Sequence, residues 1–207
     1  MIILPSHYFG SVEYWARLVA AGDDAVIDIG ENYIKRTERN RTTIMTSNGL
    51  MQLSVQLAHA NRPRQPMRSM RVDYSKRWQH QHAIAIESAY KRSPYYDYYS
   101  DRFAYLFDRE WRYLVDINMA TLEGVCSILK ICVPRISESY ITATEGDVDL
   151  RGKLITPSST FTPYIQVFSD REPFAPNISI YDLIMCEGPS ALAYLKSINK
   201  EIGRAHV

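Results

Sequence analysis

Residues 1–30, MIILPSHYFGSVEYWARLVAAGDDAVIDIG, decide the fold class. Met1 to Leu4 is an apolar run of strand length, and Ala25 to Ile29 is a second. Between them Val12, Trp15, Ala16 and Val19 recur at the spacing of one helical face, and Gly22 stands where that helix must stop. Strand, helix, strand is the connection that parallel neighbours need, because a tight turn can only pair strands antiparallel. The expected fold is α/β, with a mainly parallel, Rossmann-like central sheet and several flanking helices.

Outward from this unit the pattern changes. Asn48-Gly49 separates Thr42–Met45 from Leu50–Leu57, a strong signal for an antiparallel hairpin inserted into the fold. The Pro-containing stretch His59 to Met67 suits an exposed loop. Asp73 to Ser75 offer caps for a helix whose Trp78, His82, Ala85 and Ala89 share a face, and Ser93-Pro94 ends it. A longer helix is expected from Arg109 to Ile131, with Pro134 as its stop. Tyr140–Thr142 and Tyr164–Phe168 read as short strands. Ser179 and Asp182 form a capping box for a helix closed by Gly188, and Pro189 opens a last amphipathic helix through Ala191, Leu192, Leu195 and Ile198.

With 207 residues, 46 % of them hydrophobic, the chain can bury a full core, and residues 1–200 read as a single domain. Residues 201–207, EIGRAHV, are what the opening bases of a common sequencing adapter encode in frame, so they are set aside as non-native and His206 carries no functional weight. A net charge of +1 offers no general attraction to nucleic acid, and no apolar run reaches the roughly 20 residues that a membrane helix needs. No nucleic-acid partner and no membrane insertion are expected. Cys126, Cys132 and Cys186 lack a metal-type spacing and read as reduced residues of a cytoplasmic protein. There is no Walker-type loop, dinucleotide fingerprint or nucleophile elbow; no metal-type His or Cys pair appears either, so no metal is expected, and the cofactor and oligomeric state stay open.

The densest polar run is Glu31 to Arg41, ENYIKRTERNR. Lys35, Arg36, Arg39 and Arg41 beside Thr37 and Asn40 fit a clamp for phosphate or carboxylate, since Arg grips an oxyanion through paired hydrogen bonds and Lys adds a mobile charge. A charged edge strand gives the same pattern. His7, in the loop after the first strand, and His82, on an apolar helical face, are both candidate proton acceptors; His82 is equally a hydrogen-bonded core residue. The tyrosine-rich segment Tyr90 to Tyr105 is read as core packing, because Asp97 and Asp101 cancel its charge.

Three ordered blocks carry a resemblance. They are Lys35, Thr37, Asn40, Arg41 with Asn48-Gly49; then Trp78, His82, Ser88, Ala89, Tyr90 with Ser93-Pro94; and last Gln166, Phe168, Phe174, Pro176, Asn177, Ser179, Asp182 with Glu187-Gly188. In these the chain resembles the WbqC-like family, bacterial proteins often encoded among surface-polysaccharide genes. It departs where longer members carry a His-Gln-Pro strand end, having Leu4-Pro5-Ser6 with His7 later, and in Glu38, at a position often aromatic. The resemblance implies a role in O-antigen or related glycan assembly, with transfer of an aminoacyl group such as glycyl to a sugar.

Combining residues and resemblance, the expected site is that of a transferase acting on a small anionic or sugar-nucleotide ligand. Lys35 and His82 are its catalytic candidates. His7, Thr37, Arg39, Asn40, Arg41, Asn48, Gln166, Asn177 and Ser179 are its binding candidates, the last two at a helix start suited to an anion. The alternative is a non-catalytic module that binds a sugar nucleotide or a partner enzyme. It calls for an open cationic surface and a His82 engaged in core hydrogen bonds.

Overall fold

The first strand, β1 (Ile2–Pro5), leads through α1 (Val12–Ala21) into β2 (Ala25–Asp28), as the opening thirty residues require. The computed structural model describes residues 1–58, 64–152 and 161–204. β1 and β2 pair in parallel, with Ile2 opposite Ala25 and Pro5 opposite Asp28. Their apolar sequences follow from burial: Ile3, Leu4, Ala25 and Ile27 have no exposure. A hairpin follows, β3 (Arg41–Thr46) and β4 (Gly49–Ser54), turning at Asn48-Gly49 with Thr46 opposite Gly49.

Helices then accumulate: α2 (Trp78–Tyr90), α3 (Tyr96–Tyr99), α4 (Asp101–Asp108) and α5 (Leu114–Leu129). The chain returns to the sheet as β5 (Arg135–Ser137) beside β2 and β6 (Val148–Asp149) beside β1. The four-stranded sheet is parallel throughout, in the order β5-β2-β1-β6. α6 (Ile180–Glu187) and α7 (Ala191–Arg204) complete the described chain. α7 packs on α1 and buries Ala191, Leu195 and Ile198.

Several elements differ from expectation, each because a side chain does what backbone pairing was expected to do. Tyr140–Thr142 is no strand; Ile141 N–H donates to Asp28 Oδ2 at 3.0 Å, and the Tyr140 ring lies 4.3 Å from the Arg151 guanidinium. Tyr164–Phe168 is an irregular segment pinned by Tyr164 and Gln166 on the Asp182 carboxylate. α5 starts at Leu114 rather than Arg109, since Arg109 folds over the Trp111 ring at 3.6 Å and Leu114 N–H bonds Met70 O. It ends at Lys130, whose φ of 55° is left-handed, well before Pro134. Residues 201–204 continue the backbone of α7; residues 205–207, and 59–63 of the expected loop, lie outside the described residues.

The sheet order places a topological reversal at β1: β2 and β5 extend to one side of it and β6 to the other. In open parallel sheets the crevice beyond the carboxyl ends of such strands is where ligands bind. The loop after β1 (residues 6–11) and the segment 28–40 run over that edge. Phe9 (φ 63°) and Gly10 (φ 72°) bend the loop through two left-handed residues in succession. At Gly10 a Cβ would come within 2.8 Å of Tyr14 Cδ1, so glycine is required twice over.

Candidate functional site

Glu31, Arg39 and Asn40 of the Glu31–Arg41 run are built into a buried polar scaffold. Arg39, 2 % exposed, grips both carboxylate oxygens of Glu31 (2.8 and 2.6 Å) and donates a third bond to Arg151 O at 2.7 Å. Thr37 Oγ1 donates to Ile34 O and accepts from Arg39, closing a local turn. Asn40 accepts from the Tyr33 hydroxyl at 2.9 Å and donates to Val55 O at 3.0 Å, which ties the run to the end of β4. Beneath it Arg151 pairs with Asp28 and with Asp149, and Asn118 Nδ2 bridges Ser6 O, Ser6 Oγ and Arg39 O. Burying charges without such partners would cost several kcal/mol each, so these arginines are committed to the fold.

What that scaffold leaves at the surface is cationic. A shallow pocket of about 380 Å³ is lined by Tyr33, Lys35, Arg36 and Arg41 along with Asn40 and Gln56, and its described lining includes no carboxylate. Lys35 and Arg36 are exposed, and Arg36 sits in the left-handed region at φ 58°. Arg41 reaches Gln52 Oε1 through one terminal nitrogen at 3.1 Å, while its Nε is shielded from solvent with no partner among the described residues. Guanidinium donors facing an acid-free pocket can hold a phosphate or carboxylate.

The two candidate histidines have different surroundings. His82 is 4 % exposed, hydrogen-bonded through Nδ1 to the Tyr8 hydroxyl at 3.1 Å and enclosed by the rings of Trp78, Tyr8 and Phe107. Burial pushes its pKa down to about 4, against a smaller opposing effect of the Ser54 carbonyl, so the ring is neutral. It does not line the cationic pocket, whereas Lys35 does.

His7 lies directly after β1. Its Nδ1 is 3.2 Å from Glu38 Oε2, and its ring lies 4.5 Å from that of Tyr14, tilted by 32°. Burial lowers the His7 pKa, with Glu38 opposing. For Glu38, burial favours the neutral acid, but His7 and the Ser11 N–H outweigh it and hold the carboxyl below its ordinary range.

The remaining predicted residues divide between scaffold and surface. Asn177, at φ 56°, accepts Glu13 N–H on Oδ1 at 2.7 Å and so caps α1, not α6. Ser179 caps α6 through Tyr181 N–H, while Asp182 turns away from any capping box to accept from Tyr90, Tyr164 and Gln166. The first N–H groups of α6 are occupied: Ile180 donates to Gly10 O, and Tyr181 and Asp182 to Ser179. That helix start has nothing left for an anion. Gln166 spends its amide on Asp182 and on the Ala175 backbone, and Asn48 is exposed at the hairpin tip.

The three sequence blocks thus meet in space, since Asp182 and Gln166 of the last contact Tyr90 of the second or each other, and Ser179 N–H donates to Thr43 O of the hairpin. The WbqC-like protein family matches residues 6–165 of the 207. The chain belongs to the WbqC-like family. No curated protein and no solved structure matches it. Within this WbqC-like chain, the Lys-Thr-Asn-Arg block contains the pocket cations Lys35 and Arg41, the half-buried turn residue Thr37 and the buried Asn40.

A larger cleft, about 750 Å³, lies between the exposed side of α2 and residues 165–171. Four of its five charges pair off, Lys91 with Glu87 and Arg171 with Asp170, leaving Arg92, so it offers an anion less than the smaller pocket with its three cations does. Tyr33, Gln56 and the pairing of Glu38 with His7 were not singled out from the sequence. Glu38 is 31 residues from His7, and only the parallel sheet brings them together. Among the described residues no cluster of His, Cys, Asp and Glu could hold a metal ion, and no helix is long and apolar enough to cross a membrane.

Proposed function

We propose that this WbqC-like chain binds a small anionic ligand of the sugar-phosphate or sugar-nucleotide class, in the cytoplasm, as part of surface-polysaccharide assembly. The observation that carries the reading is the pocket of Lys35, Arg36 and Arg41, with no acid in its described lining. Its open, shallow form and the buried, hydrogen-bonded state of His82 favour recognition over chemistry at His82. The phosphate is the feature recognised; Tyr33 and Gln56 are placed to contact a sugar or base.

The test is a thermal-shift screen of nucleotide sugars, sugar phosphates and aminoacyl donors, followed by calorimetry, because a ligand that binds only the native state raises Tm. A hit is expected to lose about tenfold or more in affinity in Lys35→Ala and in Arg41→Ala, one charge-assisted contact being worth about 1.5–3 kcal/mol. Equal affinity in both variants would sink the reading.

A second reading, transfer of an aminoacyl group such as glycyl to a sugar, has one observation in its favour, the His7–Glu38 pair at the ligand-binding edge of the sheet. Turnover of a bound donor would select it over simple recognition.

A further inference from the structure

The loop after β1 carries an imidazole that the cationic pocket does not use. Its side chain keeps 7 % of its exposure, its Nδ1 is turned to the Glu38 carboxylate at 3.2 Å, and one ring face is covered by Tyr14. Glu38 is itself fixed to that loop twice: Oε2 accepts Ser11 N–H at 3.0 Å, and its backbone oxygen accepts Tyr8 N–H at 2.9 Å. Among the described residues no hydrogen bond engages Nε2, and unlike Nδ1 it is not sealed from solvent. At this separation Nδ1 has no fully formed hydrogen bond. Loose geometry of this kind is common before a ligand tightens a site.

We propose that His7 and Glu38 form a proton-accepting pair for a hydroxyl or amine of a small molecule bound at the carboxyl edge of β1. Glu38 holds the proton on Nδ1, and Nε2 presents its lone pair. When the ligand X–H docks there, the X–H bond breaks, the N–H bond forms at Nε2, and the electron pair remains on X as a nucleophile. The imidazolium so formed is offset by Glu38, while burial, and to a smaller extent the charge of Arg39, disfavours it and keeps the resting ring neutral. Three independent features coincide: a carboxylate on one ring nitrogen, an unengaged second nitrogen, and a position at the strand end where the sheet order reverses. The site stands apart from the ligand reading of the cationic pocket, because neither His7 nor Glu38 lines that pocket.

The experiment is nitrogen-15 histidine NMR, with the His7 signal assigned by its loss in His7→Asn, together with carbethoxylation by diethyl pyrocarbonate read by mass spectrometry. The wild type is expected to show the Nδ1–H tautomer at His7 and modification of His7 while the protein is still folded. In Glu38→Gln the tautomer becomes mixed and the His7 pKa falls further, the carboxylate that raised it being gone. An Nε2–H tautomer in the wild type, no modification of His7 before unfolding, or an unchanged tautomer in a folded Glu38→Gln would each overturn the proposal. The wild-type readings decide the matter even if that variant does not fold, and sugar-phosphate affinity in His7→Asn separates this site from the pocket.

Discussion

Tyr8 and His82, 74 residues apart, share a buried hydrogen bond of 3.1 Å that joins the loop after β1 to the middle of α2. Burial disfavours the imidazolium and holds the ring pKa at about 4 against 6.5 for the free side chain. The folded state therefore binds fewer protons than the unfolded chain between those two values, so stability is full above pH 6.5 and falls as pH drops toward 4. The loss amounts to about 3 kcal/mol at most, at about 1.36 kcal/mol per pKa unit. His7 and Glu38, both also lowered, add losses of the same sign. Urea unfolding at pH 7.5 and pH 4.5 should show a smaller acid loss in His82→Gln than in the wild type; an identical loss would refute the assignment.

Removing Arg39 should damage the fold rather than the ligand. Arg39→Met leaves Glu31 buried without its bidentate partner and takes a donor from Arg151 O. The expected loss is about 3–5 kcal/mol, while Glu31→Gln combined with Arg39→Met should cost less than the two changes summed. Chemical denaturation checks both. If Arg39→Met unfolds with the wild-type midpoint but binds ligand poorly, Arg39 belongs to the pocket after all.

Asn177 serves α1 in two ways, as a cap on Glu13 N–H and as a residue able to hold a φ of 56°. Asn177→Gly keeps the backbone conformation and loses the cap, for about 1 kcal/mol. Asn177→Ala loses both and should cost about 1–2 kcal/mol more. Ser179→Ala removes only the α6 cap, again about 1 kcal/mol. None of the three should change the affinity for an anionic ligand, which calorimetry on the folded variants would check.

Elements whose register is set by local pattern were legible in the sequence. The β1–α1–β2 unit, the Asn48-Gly49 hairpin, the end of α1 at Gly22 and the final pair of helices depend on periodicity and on turn residues a few positions apart. The strand readings of Tyr140–Thr142 and Tyr164–Phe168 failed because β-prone composition cannot show that Asp28 and Asp182 will each collect a loop through side-chain bonds. In the polar run, residue types that suit a clamp also suit a buried lattice. Arg39 stands in a turn and Arg41 opens β3; the first meets Glu31 inside and the second the pocket, a division that spacing alone does not reveal. Glu38 is legible as a functional partner only once His7 is beside it.

The start of α1 bears on how the protein is made. Val12 N–H donates to Ile178 O, Glu13 N–H to Asn177 Oδ1, and Gly10 O accepts from Ile180, so the first helix is finished by residues some 165 positions later. During synthesis the amino-terminal strand and helix leave the ribosome early, yet they lack their closing contacts until α6 has emerged. Contacts so far apart in sequence slow folding, because a long loop must close before they form. An expression product stopped at residue 165, where the family match ends, would hold every residue of the cationic pocket and still lack the cap on its own first helix.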